Sequence, residues 1–232
     1  MSSPAVLKLP TFRLRDEVHL CETSGRFVVL DLAADRYVGL AREQSAALRA
    51  TLADPPSHSA VTGALRPLLD AGLLTETADS GRPLAATRLP VPDRVLFADA
   101  TATDGRVTTA RLLRFVRAAV ASQRRLRRRP IADTVAYVRR LRTDHDGTID
   151  LAAARDLTAA FLRLRPIYPL NRRCLFESLA LVVFLARYGV HPSWVFGVRL
   201  DPWRAHCWVQ HEGLLFNDEL DEVAQYTPIM AV

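Results

Sequence analysis

The chain has 232 residues, of which 49% are hydrophobic, and its formal net charge is +6. This length and composition allow one large or two small domains with a buried core, and they exclude a disordered chain. The longest apolar run, residues 179–186, is far shorter than the roughly 20 residues of a membrane-spanning helix. The N-terminus also lacks the charged-then-apolar pattern of a signal peptide, so we expect a cytoplasmic protein that does not bind membranes.

Cysteine usage is sparse. Cys21, Cys174 and Cys207 are widely separated and none belongs to a C-x-x-C pair. This spacing indicates neither a disulfide scaffold nor a zinc site, and we expect no metal and no cofactor. A cysteine followed by a downstream histidine is the more informative pattern.

The positive charge is carried almost wholly by arginine, and its densest run lies between residues 124 and 129. Such a run could attract nucleic acid, membrane phosphates or an acidic peptide. We interpret it as the solvated end of a helix and assign it no role. The run consists of Arg124, Arg125, Arg127, Arg128 and Arg129.

Residues 1–80 show strands followed by helices. The turn signal Thr23-Ser24-Gly25 separates two strands, and a helix is ended by Pro55-Pro56. Gly72 follows a second helix that contains Pro67, which could kink or divide it. The predicted strands are 19–21, 26–32, 37–40 and 73–74, and the predicted helices are 44–53 and 59–71. This order is typical of a small winged-helix-like module.

Residues 81–105 are rich in proline, alanine, threonine and aspartate and have no hydrophobic period, which predicts a linker. The remaining residues, 106–232, show helices first and an antiparallel sheet afterwards, and the fold class is therefore α+β. The predicted helices are 109–127, 131–142, 150–163 and 174–189, and the predicted strands are 194–200, 205–210 and 214–216. The helix from Cys174 is apolar all round, so it should lie at the centre of this domain.

Cys174 is predicted to lie in the first turn of that buried helix. Unpaired backbone N–H groups and the positive end of the helix dipole favour a thiolate there and could also hold a developing oxyanion. The residue type alone would equally suit a small core residue.

His206 and Asp218 supply the other half of the pattern. If residues 211–213 form the loop of a hairpin, Gln210 lies opposite Leu214 and His206 lies opposite Asp218. A two-residue loop would bring Glu219 opposite His206 instead. A nucleophile at a helix start with a base and an orienting acid on adjacent strands is the arrangement of a Cys-His-Asp triad. Cys207 should point to the opposite face as a core thiol, and Cys21 has no role.

The quoted segments, taken together, resemble a known family. They are RCLFESLAL at 173–181, YGV at 188–190, GVR at 197–199, AHCWV at 205–209 and ND at 217–218. In order and spacing they are similar to the B proteins of lasso-peptide biosynthesis, which are transglutaminase-like leader peptidases. The family would lead us to expect a small residue at Cys207, a glutamate at Gln210 and often a basic residue at Glu177. Residues 27–32, 37–40 and 68–74 resemble the PqqD-like RiPP recognition element that is fused to this peptidase.

The resemblance implies a papain-like or transglutaminase-like cysteine protease domain at 106–232 and a leader-binding domain at 1–80. The N-terminal domain would bind the leader of a precursor peptide, and the C-terminal domain would cut leader from core. A separate, asparagine-synthetase-like lasso cyclase, the C protein, would then use the freed amine. Leader binding by strand addition suits the edge at 37–40. The candidate contacts are Tyr37, Val38, Leu40, Leu65 and Leu69.

Two other functions fit parts of the pattern. Transglutaminase-like acyl transfer passes through the same thioester and differs only in the acceptor, an amine in place of water. A winged-helix DNA-binding regulator would need a basic recognition helix, and the helix at 59–71 carries only Arg66. We therefore expect no nucleic-acid partner.

Overall fold

The computed structural model describes residues 12–53, 59–76, 80–96, 105–142, 149–167 and 174–232. The chain folds into two compact units, Met1–Thr87 and Arg88–Val232. In the described ranges no helix is long and apolar enough to cross a bilayer.

The first unit contains an antiparallel sheet in the order β2 (Val18–Thr23), β3 (Arg26–Asp31) and β4 (Arg36–Gly39), and a second one in the order β5 (Leu74–Thr75), β1 (Arg13–Leu14) and β6 (Arg82–Pro83). The β2–β3 turn consists of Ser24 and Gly25, with φ of +49° and +70°. Thr23 is paired with Arg26 and belongs to the strand, so the turn is one residue shorter than the predicted signal. The helices of this unit are α1 (Arg42–Ala53) and α2 (Ser59–Asp70).

Helix α2 runs unbroken through Pro67. A proline inside a helix costs about 3 kcal/mol, and the burial of Leu65 and Leu68 on the core face offsets that cost. The helix ends at Asp70, one residue before the predicted end, and Gly72 has the left-handed conformation expected of a residue that follows a helix, with φ of +65°. The N–H of Leu73 donates to the carbonyl of Leu68 and that of Gly72 to Leu69, so the last carbonyls are satisfied by a Schellman motif.

The stretch predicted as a linker, 81–105, is partly sheet. Strand β6 pairs with β1 in the first unit, and β7 (Arg94–Val95) pairs with β10 in the second. Strands of two residues are too short to show a hydrophobic period, so the sequence pattern did not predict them. The predicted linker therefore contains two short strands that each pair within one unit, and its residues 97–104 lie outside the described ranges.

The second unit surrounds the apolar helix α6. Phe184 of α6 packs on Phe161 of α5, with ring centroids 5.7 Å apart, and Phe161 packs on Phe115 of α3 at 5.3 Å. The residues of α6 from Ser178 to Leu185 are all buried, as its sequence predicted. The helices are α3 (Thr109–Arg128), α4 (Ile131–Arg142), α5 (Leu151–Leu164), α6 (Cys174–Ala186) and α7 (Leu220–Val223), with a 3-10 turn at Arg165–Ile167.

The sheet of the second unit has the strand order β11-β8-β9-β10-β7. All its pairs are antiparallel except β10–β7, which is parallel. The sequence predicted the three central strands but neither β11 nor the short helix α7, and both belong to the C-terminal residues that flank the site. The strands are β8 (Ser193–Arg199), β9 (Arg204–His211), β10 (Leu214–Leu215) and β11 (Thr227–Ala231).

Candidate active site

Cys174 is the first residue of α6 and is half-buried. Ser178, one turn later, donates its hydroxyl to the Cys174 carbonyl at 2.6 Å and accepts the indole N–H of Trp194 at 2.8 Å. Because Trp194 lies on β8, this pair of hydrogen bonds ties the start of α6 to the sheet. Asn171, Arg172 and Arg173, which precede the cysteine, lie outside the described residues.

His206 and Asp218 are hydrogen-bonded. The distance from Nε2 of His206 to Oδ2 of Asp218 is 2.6 Å, and both side chains are mostly buried, at 14% and 20% exposed. The other carboxylate oxygen accepts the backbone N–H of Glu219 at 2.9 Å, which fixes the orientation of the carboxylate. Since Nε2 faces Asp218, the second ring nitrogen, Nδ1, is left for Cys174.

The hairpin register differs from the prediction by one residue. Leu214 pairs with His211, and Leu215 pairs with Gln210, so the turn is the two-residue type with Glu212 and Gly213 at φ +45° and +82°. A longer ladder in this register would have put Glu219 opposite His206. Strand β10 ends at Leu215, however. Phe216 still donates its backbone N–H to the carbonyl of Val209 at 3.0 Å, and the chain leaves the ladder after it.

Asn217 controls that departure. Its side-chain oxygen accepts the backbone N–H of Val209 at 2.8 Å, where the carbonyl of Phe216 would accept it in a regular ladder. This hydrogen bond turns the following residue, Asp218, towards the ring of His206. The predicted acid is therefore the one that contacts the histidine, although the predicted register was wrong.

Aromatic rings hold the imidazole. The His206 ring lies 5.0 Å from that of Tyr226 and 6.1 Å from that of Trp208. The indole N–H of Trp208 donates to Gln210 at 2.6 Å, and the Gln210 amide donates to the Pro90 carbonyl at 3.0 Å. Tyr226 was not among the predicted site residues, and Gln210 was noted only as a departure from the family pattern. Their contacts with His206 and Trp208 in the fold indicate a supporting role.

The pair Cys174 and His206 is set up as a thiolate and an imidazolium. A hydrogen bond from Cys207 lowers the pKa of Cys174, and a hydrogen bond and the charge of His206 lower it further. Burial raises the same pKa, but the lowering effects are larger and bring the pKa to about 4. Burial alone would lower the pKa of His206, but hydrogen bonds and charges from Asp218 and Cys174 raise it to about 9. Between these pH values both groups are charged, and the thiolate is the nucleophilic form.

Cys207 was predicted to be a core thiol that points away from His206. It is buried, and its Sγ lies 3.5 Å from the Ser178 hydroxyl on α6. Its thiol also forms a hydrogen bond with the Cys174 sulfur, a contact that the sequence did not predict. Burial raises the pKa of Cys207 well above its ordinary value, which keeps it protonated as a donor to the Cys174 sulfur.

The predicted leader contacts divide into two groups. Leu40 and Leu65, at 1% and 0% exposed, belong to the core of the first unit, so their interpretation as peptide contacts needs correction. Val38 and Leu69 pack against that core and are half-buried, as is Tyr37. The predicted strand edge exists, since β4 has β3 as its one strand neighbour within the described residues.

Together these residues define a Cys-His-Asp arrangement with the nucleophile at a helix start and the base and acid on and beside a sheet. In the described ranges, no three His, Cys, Asp or Glu side chains form a group that could hold a metal ion. A family model described as the transglutaminase-like superfamily matches residues 107–231, more than half of the chain. The chain therefore belongs to this superfamily, whose members are typically cysteine-protease-like enzymes. No curated protein and no solved structure matches the chain.

Proposed function

We propose that the protein is a cysteine peptidase that cuts the leader from a precursor peptide during lasso-peptide maturation. The observation that carries the proposal is the geometry of the triad: Cys174 begins α6 and is hydrogen-bonded to His206, which Asp218 orients at 2.6 Å. The resemblance of residues 173–218 to the lasso B proteins supplies the substrate class.

In the proposed reaction the Cys174 thiolate attacks the carbonyl carbon at the junction of leader and core. Backbone N–H groups in the first turn of α6 would hold the resulting oxyanion. His206 gives its proton to the departing amine of the core, and a thioester of the leader remains on Cys174. His206 then removes a proton from water, the hydroxide cleaves the thioester, and the leader leaves with a free carboxylate.

The first unit would bind the leader by strand addition to β4. The Leu40 N–H donates to Phe27 of β3 at 2.8 Å. Because the N–H groups of an antiparallel strand alternate in direction, that of Gly39 points to the outer edge. A leader strand would pair there, and the side chains of Val38 and Leu69 would border it. This proposal treats the first unit as a PqqD-like, winged-helix-like module.

The partners follow from the same proposal. The precursor peptide is the substrate, and the freed core amine is the group that an asparagine-synthetase-like cyclase would join to a side-chain carboxylate. Both steps would take place in the cytoplasm. DNA binding has less support, because Arg66, the one arginine of α2, is paired with Asp70 at 3.0 Å.

The test uses the full chain and synthetic precursors taken from short reading frames that neighbour its gene. Mass spectrometry should show a leader with a free carboxylate and a core with a free amine. Cys174→Ala should bind the leader with wild-type affinity and release no core, whereas Cys21→Ala should cleave normally, because Cys21 is buried in the first unit. Cleavage at the wild-type rate by Cys174→Ala would overturn the proposal. A leader amide formed in the presence of a primary amine, with no hydrolysis, would assign acyl transfer instead.

A further inference from the structure

A cleft with a volume of about 560 Å³ lies between α3 and α4, on the part of the chain that carries the arginine run. The cleft residues at the end of α3 recur every three or four positions, and so do those on α4. Each helix therefore turns one of its faces towards the cleft. Five arginines and one carboxylate line it: Arg124, Arg125, Arg128, Arg129, Arg140 and Asp133.

Three of the five arginines of this cleft have no ion-pair partner in the described part of the protein. Within the described part of the chain, no ion pair engages Arg124, Arg128, Arg129 or Asp133. Guanidinium groups gathered in one concave site repel one another, and an anion that binds between them relieves this repulsion.

Two further features arrange the cleft for an anion. The guanidinium of Arg125 lies 3.5 Å from the centre of the Tyr137 ring, and this cation–π contact fixes its plane. The small side chains of Ala121 and Ala136 line the same space and leave room for a ligand.

We propose that this cleft binds a compact ligand that carries two or more linked phosphate groups. The planar fork of arginine matches phosphate oxygens in pairs, and a volume of this size is typical of small-ligand sites. Nucleic acid and extended acidic peptides distribute their charges along a chain, whereas this cleft concentrates its cations in one place. A linked di- or triphosphate provides that charge density, and either inorganic polyphosphate or a nucleotide could be its source.

Isothermal titration calorimetry of the full chain with tripolyphosphate, at constant ionic strength, tests the site. Saturable binding of one tripolyphosphate is expected, with orthophosphate at least about tenfold weaker because it makes fewer charge-assisted hydrogen bonds. Titrations with pyrophosphate and with ATP distinguish the sources: tighter ATP binding indicates a nucleotide, and equal affinity indicates that the phosphates alone are recognised.

Matched variants distinguish binding in the cleft from a general effect of the protein's net charge. The double change Arg124→Gln with Arg128→Gln should weaken tripolyphosphate binding by at least about tenfold. Arg117→Gln with Arg127→Gln removes the same charge from exposed positions of α3 outside the cleft, and it should change the affinity by less than about twofold. Asp133→Asn removes the one carboxylate of the cleft and should tighten binding.

Three results would overturn the proposal. They are no saturable binding of tripolyphosphate, equal losses in the two double variants, and tighter binding of oligoglutamate or duplex DNA than of tripolyphosphate. Thermal unfolding of each variant verifies that it is folded. Because no peptide substrate is used, the outcome is independent of the peptidase assay.

Discussion

Gly197 lies directly opposite His206 in the β8–β9 ladder. Because it has no side chain, Trp208 and Tyr226, whose rings pack on His206, can occupy the space beside it. A Cβ at this position would lie 2.6 Å and 2.7 Å from two ring carbons of Trp208 and 3.1 Å from Cβ of Tyr226. Carbon atoms in contact prefer about 3.5–4.0 Å, so Gly197→Ala forces one or both rings to move. Both rings pack on the imidazole, and the movement should reach the catalytic geometry.

Trp208 is fully buried and its indole is hydrogen-bonded to Gln210, so it has little room to yield. Overpacking of this kind costs about 1–3 kcal/mol. A chain of this size loses roughly 2–4 °C of melting temperature per kcal/mol. Since a displacement of about 1 Å near a catalytic group can cost about 10²-fold in rate, we expect kcat/KM to fall between about tenfold and a hundredfold.

The assay pairs cleavage kinetics with thermal unfolding, and Gly63→Ala is the control. A Cβ on Gly63 meets nothing within 4 Å, and alanine in a helix gains about 0.5–1 kcal/mol over glycine, so this variant should be slightly more stable and fully active. If Gly197→Ala has wild-type kcat/KM, whether or not its melting temperature falls, then the rings do not position His206 and the reasoning is refuted.

Three further results are expected. Asp218→Asn should lower kcat by about 10³- to 10⁴-fold, whereas Glu219→Gln, its neighbour, should leave kcat within about threefold; the reverse order in a cleavage time course would assign the orienting role to Glu219. The pH profile of kcat/KM should be flat between about 4 and about 9. Activity should fall below about pH 4 because Cys174 becomes protonated, and above about pH 9 because His206 loses its proton. A maximum limited to near pH 7 would contradict the charged pair. Gly39→Pro should weaken binding of a fluorescent leader several-fold by removing an outward backbone donor, and Gly39→Ala, whose Cβ meets nothing within 4 Å, should bind normally; equal affinity of the two variants in an anisotropy titration would exclude strand addition at β4.

The long amphipathic helices were predictable because residues close to their ends in the sequence determine their boundaries. Helix α4 has the predicted bounds, and α3 and α5 differ from them by one residue. Thr108 and Asp150 cap α3 and α5 by accepting backbone N–H groups of the first turn, which is a signal that sequence alone carries. The short elements β6, β7, α7 and β11 depend on pairing and packing with distant residues, and no local pattern predicts them.

The site was predictable in its residues and not in its geometry. The helix start and the histidine strand follow from periodicity, whereas the contact between His206 and Asp218 is made beyond the end of the ladder, after the Asn217 hydrogen bond to Val209. Cys207 was placed on the correct face by strand alternation. That this face also meets the start of α6 is a tertiary fact, which periodicity within β9 does not contain.

The pH dependence of Cys174 alkylation tests the central claim most directly. The full chain is treated briefly with iodoacetamide over a range of pH, and the modified cysteine peptides are quantified by mass spectrometry. Cys174 should react with a midpoint at pH about 4, while Cys21, whose pKa burial raises to about 12, and Cys207 should stay unmodified near neutrality. His206→Ala should move the midpoint upwards, because it removes a hydrogen bond and a positive charge from the thiolate. A Cys174 midpoint near that of an ordinary thiol, unchanged in His206→Ala, would contradict the account.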